Sequence, residues 1–83
     1  MTLLRRTAQL VEDLRTLNVL NKKDDVKFLV YSDKSIELII YWDTYKDSIR
    51  DTVKYFITDE FGKNNIKVVT DVYSFFSCNI LLQ

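Results

Sequence analysis

The sequence predicts an α+β domain in which two helices pack on one face of a four-stranded sheet. Two segments repeat apolar residues at three- and four-residue spacing, and four other segments are dense in β-branched and aromatic residues. With one Gly and no Pro among 83 residues, the connections between these segments should be short. We therefore expect one domain spanning residues 1–83, with elements in the order α-β-β-α-β-β.

The first helix is predicted from Leu3 to Leu17. Thr2 is a plausible N-cap, and the pattern breaks near Asn18, where turn-forming and charged residues begin. One face of this segment carries the residues expected to be buried: Leu3, Leu4, Thr7, Ala8, Leu10, Val11, Leu14 and Leu17.

A hairpin is predicted next, with strands Val26 to Tyr31 and Ile36 to Trp42 around a turn at residues 32–35. Asp43 and Thr44 then occupy the N-cap region of a second helix, and Gly62 supplies its left-handed end. The apolar face of that helix is Tyr45, Ile49, Val53, Phe56, Ile57 and Phe61.

The last two strands are predicted at Ile66 to Tyr73 and Phe75 to Leu82. This order fits a two-layer, ferredoxin-like sandwich with its first strand moved to the end, with an antiparallel or mixed sheet. That layout places the second and fourth strands in the middle, and Lys27, Lys67 and Asp71 on the edges. A meander in order 1-2-3-4 is the alternative. In either layout we expect one core that includes Leu10, Leu14, Ile40, Val53, Phe56 and Ile80.

Charge and composition disfavour several classes of function. Lys plus Arg and Asp plus Glu both number 12, so no net field attracts nucleic acid. The sequence has no His, the commonest general base and metal ligand, and a single Gly cannot form a glycine-rich phosphate loop. We therefore predict a protein that is not an enzyme and that uses no cofactor or metal.

Cys78 is the only cysteine, and we predict that it is a core residue and not a nucleophile. A single cysteine cannot form an intramolecular disulfide, which favours a reducing compartment. The first residues match neither a signal peptide nor a membrane span. The sequence therefore predicts a cytoplasmic protein that does not interact with membranes.

Two charge patterns have an ordinary interpretation that we prefer. Asp43, Asp47 and Asp51 recur every fourth residue, where neighbouring basic residues can pair with them, so a cation site is disfavoured. We interpret the acidic pairs at residues 24–25 and 59–60 as solvent-exposed residues at the ends of helices or strands. The most basic region comprises Arg5, Arg6, Arg15, Lys22 and Lys23. Carboxylates interrupt it, and we interpret it as a solvent-exposed surface.

The face of the sheet that the helices leave uncovered is the most informative feature. Strict alternation directs twelve side chains to this face, and it directs Val72 and Leu82 to the helices. The twelve are Leu29, Tyr31, Glu37, Ile39, Tyr41, Lys67, Val69, Asp71, Tyr73, Phe75, Ser77 and Asn79. Seven of them are large and apolar or aromatic, and we predict that these bind a partner: Leu29, Tyr31, Ile39, Tyr41, Val69, Tyr73 and Phe75.

The predicted function is that of a small protein-interaction module, an adaptor, inhibitor or accessory protein, which binds another protein or forms a homodimer through this face. The first alternative is a single-stranded nucleic-acid binder that stacks bases on the aromatic residues. A second is that these residues express β-propensity and cross-strand pairing with no partner. The low Gly and Pro and the many Ile, Lys, Asn and Tyr residues suit an AT-rich genome, such as that of a phage or mobile element.

Overall fold

Two helices and a four-stranded antiparallel sheet form two layers in the computed structural model, which describes residues 2–81. The helices are α1 (Leu3–Thr16) and α2 (Asp47–Phe61), with a short 3₁₀ turn at Lys63–Asn65. The strands are β1 (Asp25–Val30), β2 (Ile36–Tyr41), β3 (Ile66–Val72) and β4 (Phe75–Ile80). The predicted order of elements is confirmed. Leu82, predicted to end the last strand, lies outside the described residues.

The sheet order is β1-β2-β4-β3, with every neighbouring pair antiparallel. This order confirms the permuted ferredoxin-like layout, and the meander is wrong. The two middle strands carry most of the buried sheet residues, whereas β1 and β3 form the edges. Lys27 and Lys67 therefore lie on edge strands, as predicted, where charge discourages pairing with another sheet.

Helix α1 begins as the sequence predicts, because the Thr2 hydroxyl accepts a 3.2 Å hydrogen bond from the backbone N–H of Arg5. The chain leaves the helix through Asn18, whose φ of 61° is left-handed. Helix α2 ends at Gly62, whose φ of 89° is the positive value that the prediction requires.

The predicted N-cap of α2 at Asp43 or Thr44 is wrong, because the helix begins at Asp47 with Lys46 as its N-cap. Asp24 explains the difference. Its carboxylate accepts 2.8 Å hydrogen bonds from the backbone N–H groups of Asn21 and Asp43, which holds the chain after β2 in a loop. Asp24 is only 5% exposed, so its prediction as a solvated end is also wrong.

The core lies between the helices and the sheet, and residues from both helices, β2 and β4 form it. Five of the six residues predicted for it are buried: Leu10, Leu14, Ile40, Val53 and Ile80. Phe56 is only half-buried at the edge of this cluster, beside a groove between α1 and α2. The helix layer thus covers one face of the sheet, and the other face is open.

Candidate interaction surface

The strand register divides the open face of the sheet into three rows of four residues. The first row is Asp25, Tyr41, Phe75 and Val72; the second is Lys27, Ile39, Ser77 and Thr70; the third is Leu29, Glu37, Asn79 and Lys67. Each row runs across the sheet from β1 through β2 and β4 to β3. These twelve residues are called the open face below.

A β-bulge in β3 changes which residues belong to this face. The register passes from Val68 opposite Cys78 to Thr70 opposite Ser77, so Val69 is an extra residue on β3. Beyond the bulge the alternation reverses, which directs Asp71 to the helices and Val72 to the open face. The predicted sides of Asp71 and Val72 are therefore wrong. Strict alternation could not reveal the bulge, because Val68 and Val69 are consecutive β-branched residues and the strand contains no Gly.

The bulge also affects the predicted binding residues. Leu29, Ile39, Tyr41 and Phe75 occupy positions on the open face, and the Tyr31 hydroxyl reaches it by a 3.3 Å hydrogen bond to Glu37 Oε1. Val69 is the bulged residue itself. Tyr73 lies off this face, in the β3–β4 turn.

The ring of Tyr73 packs edge-on against Tyr45, the residue two positions before α2, with 5.6 Å between ring centroids. This contact places Tyr73 on the helix side, and its predicted place on the open face is wrong. The five predicted residues that remain are joined by Val72, which is 55% exposed and which the sequence pattern had assigned to the core.

The first row forms an apolar end of the open face. The rings of Tyr41 and Phe75, on the two middle strands, meet edge-on with centroids 4.7 Å apart. The ammonium group of Lys27 lies 5.7 Å from the Tyr41 ring centroid, within the range of a cation–π contact. The two aromatic rings and Val72 therefore form a continuous apolar patch, in which Tyr41 contacts both Phe75 and Lys27.

The second row places a large residue beside a small one at the centre of the face. Ile39 on β2 pairs with Ser77 on β4. Ser77 is 3% exposed, whereas Ile39 is half-buried. The centre of the open face therefore has a large side chain on β2 next to a small, buried one on β4.

The third row is polar. Glu37 lies between Leu29 and Asn79, and partial burial together with the Glu37 carboxylate raises the pKa of the neighbouring Tyr31 hydroxyl. The Asn79 Oδ1 atom is buried and accepts no hydrogen bond from any of residues 2–81.

Charges on the open face are few and balanced. Asp25 and Glu37 oppose Lys27 and Lys67, and Asp25 and Lys27 pair with each other at 3.8 Å. Three of these four residues lie on the edge strands, and only Glu37 lies on a middle strand. The resulting surface has an apolar and small-residue centre with charges towards its rim, which is the arrangement found in protein–protein interfaces.

The opposite side of β3 carries an ion-pair cluster that belongs to the fold. Asp71 accepts a 2.7 Å hydrogen bond from Lys54 and lies 3.3 Å from Arg50, both on α2. Arg50 also lies 3.6 Å from Asp47 and from Asp51, so these two acidic residues pair with a cation of their own helix. Asp43 precedes α2, and for Asp47 and Asp51 the predicted pairing with a neighbouring basic residue is confirmed.

Cys78 lies in the core, as predicted, and burial raises the pKa of its thiol to about 12, so it is protonated at neutral pH. Among residues 2–81, no three acidic, His or Cys side chains come together in a group suited to a metal ion. None of the helices in this part of the chain is long and apolar enough to cross a membrane.

Comparison of the chain with protein-family models, curated proteins and solved structures finds no match.

Proposed function

We propose that this protein is a small, non-enzymatic interaction module that binds another polypeptide through the open face. The single observation that supports the proposal best is the first row, in which Tyr41, Phe75 and Val72 form a continuous apolar patch on adjacent strands. Aromatic residues supply large contact area at low entropic cost and are enriched at the centres of interfaces.

The placement of charge supports a protein partner. The centre of the open face is apolar or small, and the charged residues Asp25, Lys27 and Lys67 lie on the edge strands. A partner that covers the centre would therefore desolvate few charges, because most of them could stay in water at the rim. Glu37 is the exception and requires a hydrogen-bonding or basic group on the partner.

Single-stranded nucleic acid is the second candidate, since Tyr41 and Phe75 lie next to each other on the two middle strands. Base stacking on such rings is sequence-tolerant, but it is normally accompanied by a basic surround. Here two lysines are balanced by two carboxylates, and the two rings already contact each other edge-on. These features favour the protein partner over a nucleic acid.

Charge insertion on β2, a middle strand of the open face, tests the proposal. We expect Ile39→Lys and Tyr41→Glu to weaken association with the protein's partner at least about tenfold, because an uncompensated charge would be desolvated there. The measurements are capture of partner from cells that make the protein, sedimentation to detect self-association, and a melting curve for each variant.

The matched control is Tyr55→Glu, which places the same charge on an exposed position of α2, where Tyr55 is 65% exposed. This control should retain all association. A folded Tyr41→Glu protein that associates as well as the control would contradict the proposal. Tight, salt-sensitive binding of a fluorescent oligonucleotide that Tyr41→Glu removes would favour the nucleic-acid alternative.

A further inference from the structure

We infer that the partner covering the open face is a second copy of this chain, bound face to face about a twofold axis that runs along the strands between β2 and β4. This assignment rests on the function proposed above and specifies its partner. A twofold interface requires a surface that is complementary to itself, so the arrangement of residues within the three rows decides whether it forms.

A twofold axis between β2 and β4 places each row over the same row of the other copy, with β2 opposite β4 and β1 opposite β3. In the first row Tyr41 then faces Phe75 of the second copy, and aromatic residues meet at the apolar end. In the second row Ile39 faces Ser77 of the second copy, so a large side chain of each copy meets a small one of the other. Both contacts occur twice because of the symmetry.

Charges agree with the same axis. Asp25 faces Val72 of the second copy, Lys27 faces Thr70, and Lys67 faces Leu29, so no like charges meet. Glu37, the only charge on a middle strand, faces Asn79 of the second copy, whose amide group is a hydrogen-bond donor. Lys67 of the second copy lies one column away from Glu37 and supplies the neighbouring opposite charge.

The other axis that keeps the strands of the two sheets aligned runs across them, through the middle row. It places Ile39 over Ile39 and Ser77 over Ser77 of the second copy, so the large side chains meet each other and the small ones meet each other. It also places Tyr41 over Glu37, which buries a carboxylate against a ring. Aligned packing of twisted sheets is compatible with both axes, so side-chain complementarity decides between them.

The size of the face limits the strength of the dimer. Four strands about 4.8 Å apart and six residues long, at about 3.3 Å per residue, cover a flat area of about 400 Å² per copy. This is about half of the roughly 800 Å² per partner in a standard stable interface. The dimer should therefore depend on concentration, with the monomer of 9.9 kDa present on dilution.

Cysteine cross-linking tests the axis as well as the dimer. Lys27→Cys and Thr70→Cys, at the two ends of the middle row, are made separately, one with a mass tag, and treated with bismaleimidoethane alone and as a mixture. Facing side chains of stacked sheets, about 10 Å apart at the backbone, lie within reach of this reagent. The native Cys78 is buried and protonated and does not compete. Under the proposed axis Lys27 faces Thr70 of the second copy, whereas Lys27 of one copy and Lys27 of the other lie three strands apart. We therefore expect the mixture to give a 27-to-70 dimer at least about fivefold more abundant than the dimer from either variant alone.

Two results would overturn the inference. Efficient cross-linking of Lys27→Cys with itself, with little 27-to-70 dimer in the mixture, would establish the axis across the strands. An unsubstituted protein that stays at 9.9 kDa in sedimentation equilibrium up to its solubility limit would exclude the second copy. The proposed function would then be tested separately. Loss of a different partner protein in Tyr41→Glu would support the proposed function, whereas unchanged capture of that partner would contradict it.

Discussion

Lys54 on α2 donates a 2.7 Å hydrogen bond to Asp71 on β3, and this contact fixes the side of β3 that faces the helices. Asp71 also lies 3.3 Å from Arg50, and its side chain is only 25% exposed. The pairing depends on the extra residue Val69, because without it Asp71 would point away from the helices. The bulge at Val69 therefore determines both which residue of β3 pairs with the cations of α2 and which residues of β3 lie on the open face.

We predict that Asp71→Ala destabilises the protein by about 1–2 kcal/mol, because two partly buried cations lose their carboxylate. The control is Asp51→Ala, which removes a carboxylate that also pairs with Arg50 but is 68% exposed. That change should alter the free energy of unfolding by less than about 0.5 kcal/mol. Urea unfolding of both variants is the measurement, and equal effects would show that the cluster contributes nothing specific.

Deletion of Val69 is expected to destabilise the protein by more than about 2 kcal/mol, because Asp71 and Val72 would exchange sides and the cations of α2 would lose their partner. Val69→Ala, which keeps the bulge, should cost much less, since Val69 is 51% exposed. Urea unfolding distinguishes the two. A deletion variant as stable as the parent would mean that the faces of β3 do not depend on the bulge.

We predict that Asp24→Ala destabilises the protein by about 2–3 kcal/mol, because the Asp24 carboxylate accepts charge-assisted hydrogen bonds from two backbone N–H groups. The adjacent Asp25, whose side chain is 60% exposed and pairs with Lys27, provides the control. Asp25→Ala should change the free energy of unfolding by less than about 0.5 kcal/mol. If thermal melting ranked the two variants the other way, Asp24 would not hold the loop that follows β2.

Phe76→Ala should cost about 3–5 kcal/mol, because Phe76 is 1% exposed in the core. Phe56→Ala should cost only about 1–2 kcal/mol, because Phe56 is half-buried and its removal opens a site to water instead of leaving a closed cavity. Denaturant unfolding of the pair is the measurement. A larger loss for Phe56→Ala would contradict the packing described for the helix layer.

Stability should fall at alkaline pH because the folded state holds the Cys78 proton more tightly than the unfolded state. Burial raises the pKa of this thiol from 9.0 to about 12. Its contribution is complete below pH 9.0 and is lost as the pH rises towards 12, by up to about 1.4 kcal/mol per pH unit. Unfolding should therefore show a steeper loss of stability from about pH 9 to about pH 12 in the parent than in Cys78→Ala. Parallel curves for the two proteins would contradict the buried, protonated thiol.

The fold could be predicted from the sequence because its signals are local and repeated. The helical spacing of apolar residues predicts α1, the β-branched runs predict β2 and β4, and Gly62 predicts the end of α2. Edge charges at Lys27 and Lys67 then favoured the observed strand order over the meander.

Features that depend on tertiary contacts could not be predicted in this way. Asp24 reads as a solvated residue in the sequence, and its burial depends on Asp43, nineteen positions away. No residue type in β3 indicates the bulge at Val69. Strict alternation therefore assigns Asp71 and Val72 to the wrong sides of the sheet and places Tyr73 on the open face. Four of the predicted binding residues lie on the part of the sheet where the alternation is unbroken, and for that reason they were placed correctly: Leu29, Ile39, Tyr41 and Phe75.

Site-specific photocrosslinking in the cells that make the protein tests the central claim, that the open face is an interaction surface, most directly. A benzophenone amino acid replaces Tyr41 in one variant and Tyr55, which is exposed on α2, in the other. The account predicts a discrete covalent adduct with a polypeptide from position 41 and none from position 55, and the adduct's mass identifies a second copy or another protein. Absence of an adduct at position 41, or the same adduct from both positions, would contradict the claim.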